Sequence, residues 1–298
     1  MTRISFESPF KIDASIIESH PHAQDLARAV QLLSKNHMLN SKNFMSLYRH
    51  TQLADLADIF DCLDANGILK PKLFLKSIRH PELYHLAWGL IYLNEYQLLK
   101  EKQFWLIATH QNIQELIQAT KNLEQANIAT PDNLIRLYHH KNQSHFPAAV
   151  NYLKDIQNLN QSNFHALATH HNPYDLALAF GDLKNSHLLH KKNKRTLIQH
   201  LNPRMIANAL VLLHEMGILN DHHRYIVVSN NEPTDMAAAL VCLHQAQILN
   251  SANRMALIEH QKPYELAQAL EQLKRHGLLN RENRRLIINH PSPTNLSF

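Results

Sequence analysis

Glycine is scarce in this sequence, with 5 in 298 residues, and none lies in a GxGxxG, GxxxxGK[ST] or GxSxG pattern. The backbone cradles for dinucleotides and triphosphates, and the nucleophile elbow, are therefore missing. Cysteine is almost as rare. Cys62 and Cys242 are too few for a disulfide framework, and they read as reduced, buried, small apolar residues of a cytosolic protein. No apolar run approaches the roughly 20 residues a membrane span needs. The first residues lack a charged start followed by an apolar core, so no signal peptide is expected and the chain reads as soluble. Strand-like alternation and low-complexity tracts are missing too.

What the sequence does hold is periodicity. His20, His50, His80, His110, His140, His170, His200, His260 and His290 lie on one 30-residue ladder, with Asn230 in the single gap. Leu33, Leu63, Leu93, Leu123, Leu153, Leu183, Leu213, Leu243 and Leu273 form a second ladder without exception. Ala27, Ala57, Ala87, Ala177, Ala207, Ala237 and Ala267 form a third. A fixed period of this size marks stacked structural repeats.

Numbering each unit from residue 11, the clearest copy is Ser251 to Asn280. Its last residue (Asn40, Thr130, Asn160, Asn220, Asn250, Asn280) suits an N-cap for a short helix A in the next unit. Pro71 and Pro131 follow at the first helical position. Helix A ends at the histidine. Helix B then opens with Asn142, Asn172, Asn202 or Ser292 as N-cap, with Pro173, Pro203, Pro233, Pro263 and Pro293 close behind. Asp25, Asp55, Glu115, Asp175, Asp235 and Glu265 supply first-turn acids that complete a capping box. Gly67, Gly217 and Gly277 fit left-handed C-terminal positions.

Helices of about nine and fourteen residues are marginal alone. Each hairpin must bury its apolar stripe against its neighbours. The expectation is an all-α, right-handed α-solenoid of about nine helix-turn-helix repeats plus a partial tenth. It comprises a cap segment over 1–10, one repeat domain over 11–290 and a truncated cap over 291–298, unless the natural chain continues.

Nine aligned histidines raise the question of metal. Zinc requires ligand nitrogens about 2.0–2.1 Å from the ion, whereas packed helices stand about 8–10 Å apart. Ladder neighbours therefore cannot easily share an ion, and no HExxH motif is present. A structural role fits better, with each ring bonding the last carbonyls of its own helix A. Asn230 suits that hydrogen-bonding role. No cofactor is expected. Acid pairs such as Asp61 and Asp64 read as solvated faces, and the unbroken register argues against an enzyme pocket.

Two departures from the average unit point to partners. In the third and fourth units, Trp88 and Ile91 take helix B positions that are polar in many other units, with Tyr84, Tyr92, Leu75 and Trp105 close in the pattern. Tryptophan and tyrosine dominate interface hot spots, so these six residues are the expected protein-docking patch. Along helix A, position four changes from Phe44, Phe74, Phe104, Leu134 and Phe164 to Lys194, Arg224, Arg254 and Arg284. Lys191, Lys192, Arg195, Arg281 and Arg285 reinforce that row, and the whole charge excess of +5 falls within residues 191–298. Such a row could meet nucleic acid, anionic lipid or acidic protein, or its stems could simply cover apolar surface.

The segment ALVLLHEMGILN at 209–220 resembles the second helix and turn of ankyrin repeats, although TPLHxA is missing and the unit is three residues shorter. Over 11–290 the array, with its Asn- and Lys-rich flavour, resembles helical-repeat effector proteins that intracellular bacteria secrete into host cells. That resemblance implies export through a type IV system, a host-protein target and residence in host cytosol. The short-helix, long-helix unit is also similar to transcription-activator-like repeats, with Lys141–Asn142, His171–Asn172, Leu201–Asn202 and Gln261–Lys262 at the variable loop pair. The glycine pair of those repeats is absent, and residues 1–190 carry no net charge. A polyanion-binding array needs phosphate neutralisation. The expectation is thus a monomeric, cytoplasmic, non-enzymatic protein-binding scaffold, using the concave surface of the array.

Overall fold

The structure, a computed structural model, describes residues 12–71, 74, 78–80, 83–95, 110 and 112–295. Among these residues there are seventeen α-helices, one short 3-10 helix at Pro293–Asn295 and no strand. The architecture is that of an α-solenoid. The chain divides into two units, Met1–Asn151 and Tyr152–Phe298.

The first unit opens with α1 (Ala14–Glu18) and α2 (Ala23–Lys35), followed by α3 (Ser41–Tyr48) and α4 (Leu53–Ala65). Then come α5 (Leu83–Glu95), α6 (Ile113–Gln125), α7 (Pro131–Tyr138) and α8 (His145–Asp155), within which the division falls. The second unit holds four pairs: α9 (Gln161–Thr169) with α10 (Pro173–Asn185), α11 (Lys191–Gln199) with α12 (Pro203–Glu215), α13 (Asp221–Val228) with α14 (Pro233–Gln245), and α15 (Ser251–Glu259) with α16 (Pro263–Arg275). A lone α17 (Arg281–Ile288) follows. Long B helices stack side by side: α2 on α4, α4 on α5 and α5 on α6 in the first unit, and α10, α12, α14 and α16 in turn in the second.

The helix boundaries follow from local chemistry. Asn40, Thr130, Asn160, Asn220, Asn250 and Asn280 each accept the backbone N–H three residues on, which satisfies an orphan donor of helix A. Pro173, Pro203, Pro233 and Pro263 open B helices at a position whose N–H would be unpaired anyway. Of the expected helix B caps, Asn172 accepts from the Asp175 N–H whereas Asn202 makes no such bond; Asn112, which the sequence pattern did not single out, accepts from the Glu115 N–H.

Helix B ends in the paired backbone bonds that follow a left-handed residue, as where His37 N–H meets Ser34 and Met38 N–H meets Leu33. Gly67, Gly217 and Gly277 hold that conformation. His37, Asn127, Gln157, His187 and Gln247 hold it too, at φ between 52° and 59°, where a side chain costs about 1–2 kcal/mol.

The leucine ladder is the core of each stack: Leu63, Leu93, Leu123, Leu153, Leu183, Leu213, Leu243 and Leu273 are all buried. The alanines beside it, such as Ala57, Ala177, Ala207, Ala237 and Ala267, are fully buried and let neighbouring backbones approach.

Candidate functional site

The histidine ladder is a fastening between repeats. Nδ1 of His20, His50, His140, His200 and His260 accepts the backbone N–H two residues on, at 3.0–3.2 Å. The rings of His110, His170 and His290 sit likewise over Asn112, Asn172 and Ser292. Where the far nitrogen is paired, it faces a carbonyl at the end of the next helix A. His20 reaches Tyr48 at 3.0 Å, His50 reaches Ile78 at 3.1 Å, His170 reaches His200 at 3.1 Å and His260 reaches His290 at 3.0 Å. A carbonyl only accepts, so in His20, His50 and His260 Nε2 carries the proton in the neutral ring and Nδ1 is left as the acceptor, while at His170 Nδ1 also lies 2.9 Å from the Asn172 carbonyl.

This corrects the expected role. The rings of His20, His50, His170 and His260 bond the following repeat's carbonyl rather than those of their own helix, because helix A ends before the ring and the next repeat supplies the nearest orphan acceptor. Asn230 keeps half of the device, accepting from Glu232 N–H at 2.8 Å. His80 has an interaction partner as well. Burial lowers the pKa of His140, against the opposing hydrogen bond at Asn142. Among the described residues no group of three or more His, Cys, Asp or Glu could hold a metal ion.

A second fastening escaped the sequence reading. Asn43, Asn133, Asn163, Asn193 and Asn253, at position three of helix A, are buried. Their Nδ2 atoms, like that of Asn283, donate to the carbonyl five residues earlier at 2.7–2.9 Å. His223 takes this slot once, with Nδ1 at 2.7 Å from the Ile218 carbonyl. The 30-residue recurrence of these asparagines was visible. Polar residues in a helix A face simply do not announce burial.

The expected aromatic patch separates into an outer and an inner set. Tyr84 and Trp88 are 61% and 52% exposed, with ring centroids 6.1 Å apart on consecutive turns of α5. Tyr92 is half-buried, donates to a Glu124 carboxylate oxygen and lies under the Lys121 ammonium at 4.7 Å. Ile91 is buried, so it belongs to the core and is no surface contact: position twenty-one of helix B leans toward the neighbouring helix, and an apolar residue there packs inward. Leu75 and Trp105 lie outside the described residues.

Beside Trp88 an open cavity of about 540 Å³ runs between α5 and α6 toward Asn151. Trp88 and His85 form one wall, and Gln114 and Gln118 the other. Ile117 reaches into the space left by Gly89, where any Cβ would overlap it. Gln118, Asn122 and Asn151 link their amides along this surface at 3.2 and 2.9 Å.

The cation row of the second unit is mixed. Lys191, Lys192, Arg195 and Arg285 are exposed, whereas Lys194, Arg224, Arg254 and Arg284 are half-buried. The Nε atoms of those three arginines are buried with no hydrogen-bond partner among the described residues. Lys194 stands 5.8 Å over the Phe180 ring, and burial lowers its pKa. Lys192 and Arg224 both bind Asp221, at 2.7 Å. Position four therefore takes long stems whose inner ends fill apolar space.

Both cysteines are free, but the expectation that both are buried fails: Cys62 is exposed, since helix B position twenty-two faces outward on α4. Cys242 is half-buried and donates to Glu271 at 3.3 Å; burial first, and that bond second, push its thiol pKa up to about 12.

No protein-family model matches this chain, and no curated protein does either. No helix among the described residues is long and apolar enough to cross a membrane.

Proposed function

We propose that the protein is a non-enzymatic scaffold that docks another protein on the helix B face of its first unit. The observation that carries this reading is the adjoining Tyr84 and Trp88, both more than half exposed, with Trp88 on the wall of a 540 Å³ cavity. Exposing two large aromatic faces to water forfeits burial worth about 1.5–3 kcal/mol each, and a partner that covers them recovers it. The resemblance to secreted helical-repeat effectors suggests a host-cell protein as partner and the cytosol as the place of action.

Affinity capture with the wild type and with Trp88→Ala, checked for equal helicity by circular dichroism, tests this. A partner retained by the wild type and lost by the variant is expected. Capture that never depends on Trp88 or Tyr84 overturns the reading.

A second reading, a polyanion-binding edge in the second unit, is favoured by one observation. Helix α11 carries Lys191, Lys192, Lys194 and Arg195 and no acid. Binding to heparin or random DNA at low salt, abolished by charge reversal at Lys191, Lys192 and Arg195, is its signature.

A further inference from the structure

The groove beside Trp88 lies in a strongly acidic neighbourhood. Across α4, α5 and α6 the charged side chains are Asp55, Asp58, Asp61, Asp64, Glu95, Glu115 and Glu124, opposed by Lys121 on these helices and by Arg28 and Lys35 of α2, which pair with Asp58, Asp61 and Asp64. Lys121 is itself held over the Tyr92 ring. Successive B helices abut in register. Arg28 on α2 meets Asp58, thirty residues on, at 2.8 Å, and also binds Asp61. The helices α4 and α5 pack together, and Trp88 occupies the same position of its repeat as Asp58, thirty residues further on. Asp58 remains 68% exposed although Arg28 touches it.

We propose that this groove takes a Lys/Arg-rich segment of the partner protein, with a cationic side chain laid on the Trp88 face beside Glu115, which lines the same groove, and within the field of the carboxylates of α4. Two features of the unit already display the chemistry. A guanidinium is gripped by two carboxylates of α4, and an ammonium sits over an aromatic face on α5. An indole is the strongest aromatic partner for a cation, and an acidic segment would meet like-charge repulsion here. An exposed ring would also welcome an apolar side chain, but seven carboxylates against three cations, Arg28, Lys35 and Lys121, leave this face acidic and favour a cationic one. This inference rests on the protein-docking reading and narrows its partner class.

The test uses the full chain and short fluorescein-labelled peptides of alternating Arg and Gly, Gln and Gly, or Glu and Gly, followed by anisotropy at low and raised ionic strength. The Arg peptide is expected to bind, and the Gln and Glu peptides are not. Trp88→Ala should weaken binding about tenfold, Trp88→Phe should restore part of it, and Asp58→Asn with Asp61→Asn should weaken it and flatten the salt dependence. Equal binding of the Arg and Gln peptides, or Arg-peptide binding indifferent to Trp88→Ala, overturns the proposal. If a captured partner still depends on Trp88 while the Arg peptide does not bind, the cationic assignment falls and protein docking stands. If neither depends on Trp88, both fall.

Discussion

The same slot, position four of helix A, is filled in opposite ways in the two units. In the first unit it holds Phe44, Phe74 and Leu134, at 5%, 0% and 1% exposure. In the second unit, after a buried Phe164, it holds Lys194, Arg224, Arg254 and Arg284, all half-buried. A ring ends inside the stack. A guanidinium carries its stem through the same space and leaves its head at the surface, at the cost of an Nε donor that finds no acceptor there. Position in the repeat thus fixes how deep a side chain begins, but not whether it ends dry or wet.

The comparison can be broken most forcefully by truncation. Phe44→Ala should cost the first unit about 3–5 kcal/mol, because a cavity opens as well as area being lost. Arg284→Leu should change the second unit by less than about 1 kcal/mol, with the sign toward stabilisation as the orphan donor disappears. Urea unfolding followed by circular dichroism reads both. An equal loss at the two sites would mean that the arginines are bonded after all.

The histidine fastening is the next lever. His170→Ala removes the bonds to Asn172 and His200 and should destabilise by about 2–3 kcal/mol. His170→Asn, copying the native Asn230, should cost about 1 kcal/mol, since the acceptor for the loop N–H survives. Identical losses in thermal melts would reduce the ring to a packing element.

A smaller effect runs the other way. Gln157→Gly and Gln247→Gly should each stabilise by about 0.5–1 kcal/mol, the relief of about 1–2 kcal/mol of left-handed strain outweighing glycine's added unfolded-state entropy of about 0.5–1 kcal/mol. Raised melting temperatures are expected. Lowered ones would show that the glutamine side chains contribute contacts worth more than the strain.

The smallest effect concerns protons, and it touches both units. Burial lowers the pKa of His140 in the first and of His223 in the second; at His223 the charges of Arg254, His222 and His244 add to burial, and the Ile218 hydrogen bond opposes it. A folded-state value below the unfolded value of about 6.5 gives stability that is complete above that pH and is lost as pH falls through the folded value. The double variant His140→Asn, His223→Asn should therefore lose less melting temperature than the wild type on going from neutrality to about pH 5. A parallel decline in both proteins would assign the acid sensitivity elsewhere.

Much of this fold was legible before any coordinate. Thirty-residue ladders of leucine and alanine set the helix pairing, and caps at Asn40 or Asn250 and prolines at Pro203 or Pro263 set the boundaries, because each depends only on residues a turn or two away. The site was legible in part. Trp88 and Tyr84 stood out by their size, but Ile91 beside them turned inward.

The sequence by itself determined where helices begin, where they end and which stripe is apolar, since those are local hydrogen-bond and periodicity questions. Only the tertiary structure decided that a histidine reaches the next repeat's carbonyl, that an arginine fills a phenylalanine's slot and that Arg28 reaches Asp58 of the following repeat. Such contacts join residues about thirty positions apart, and the stacking of one hairpin on the next brings them together.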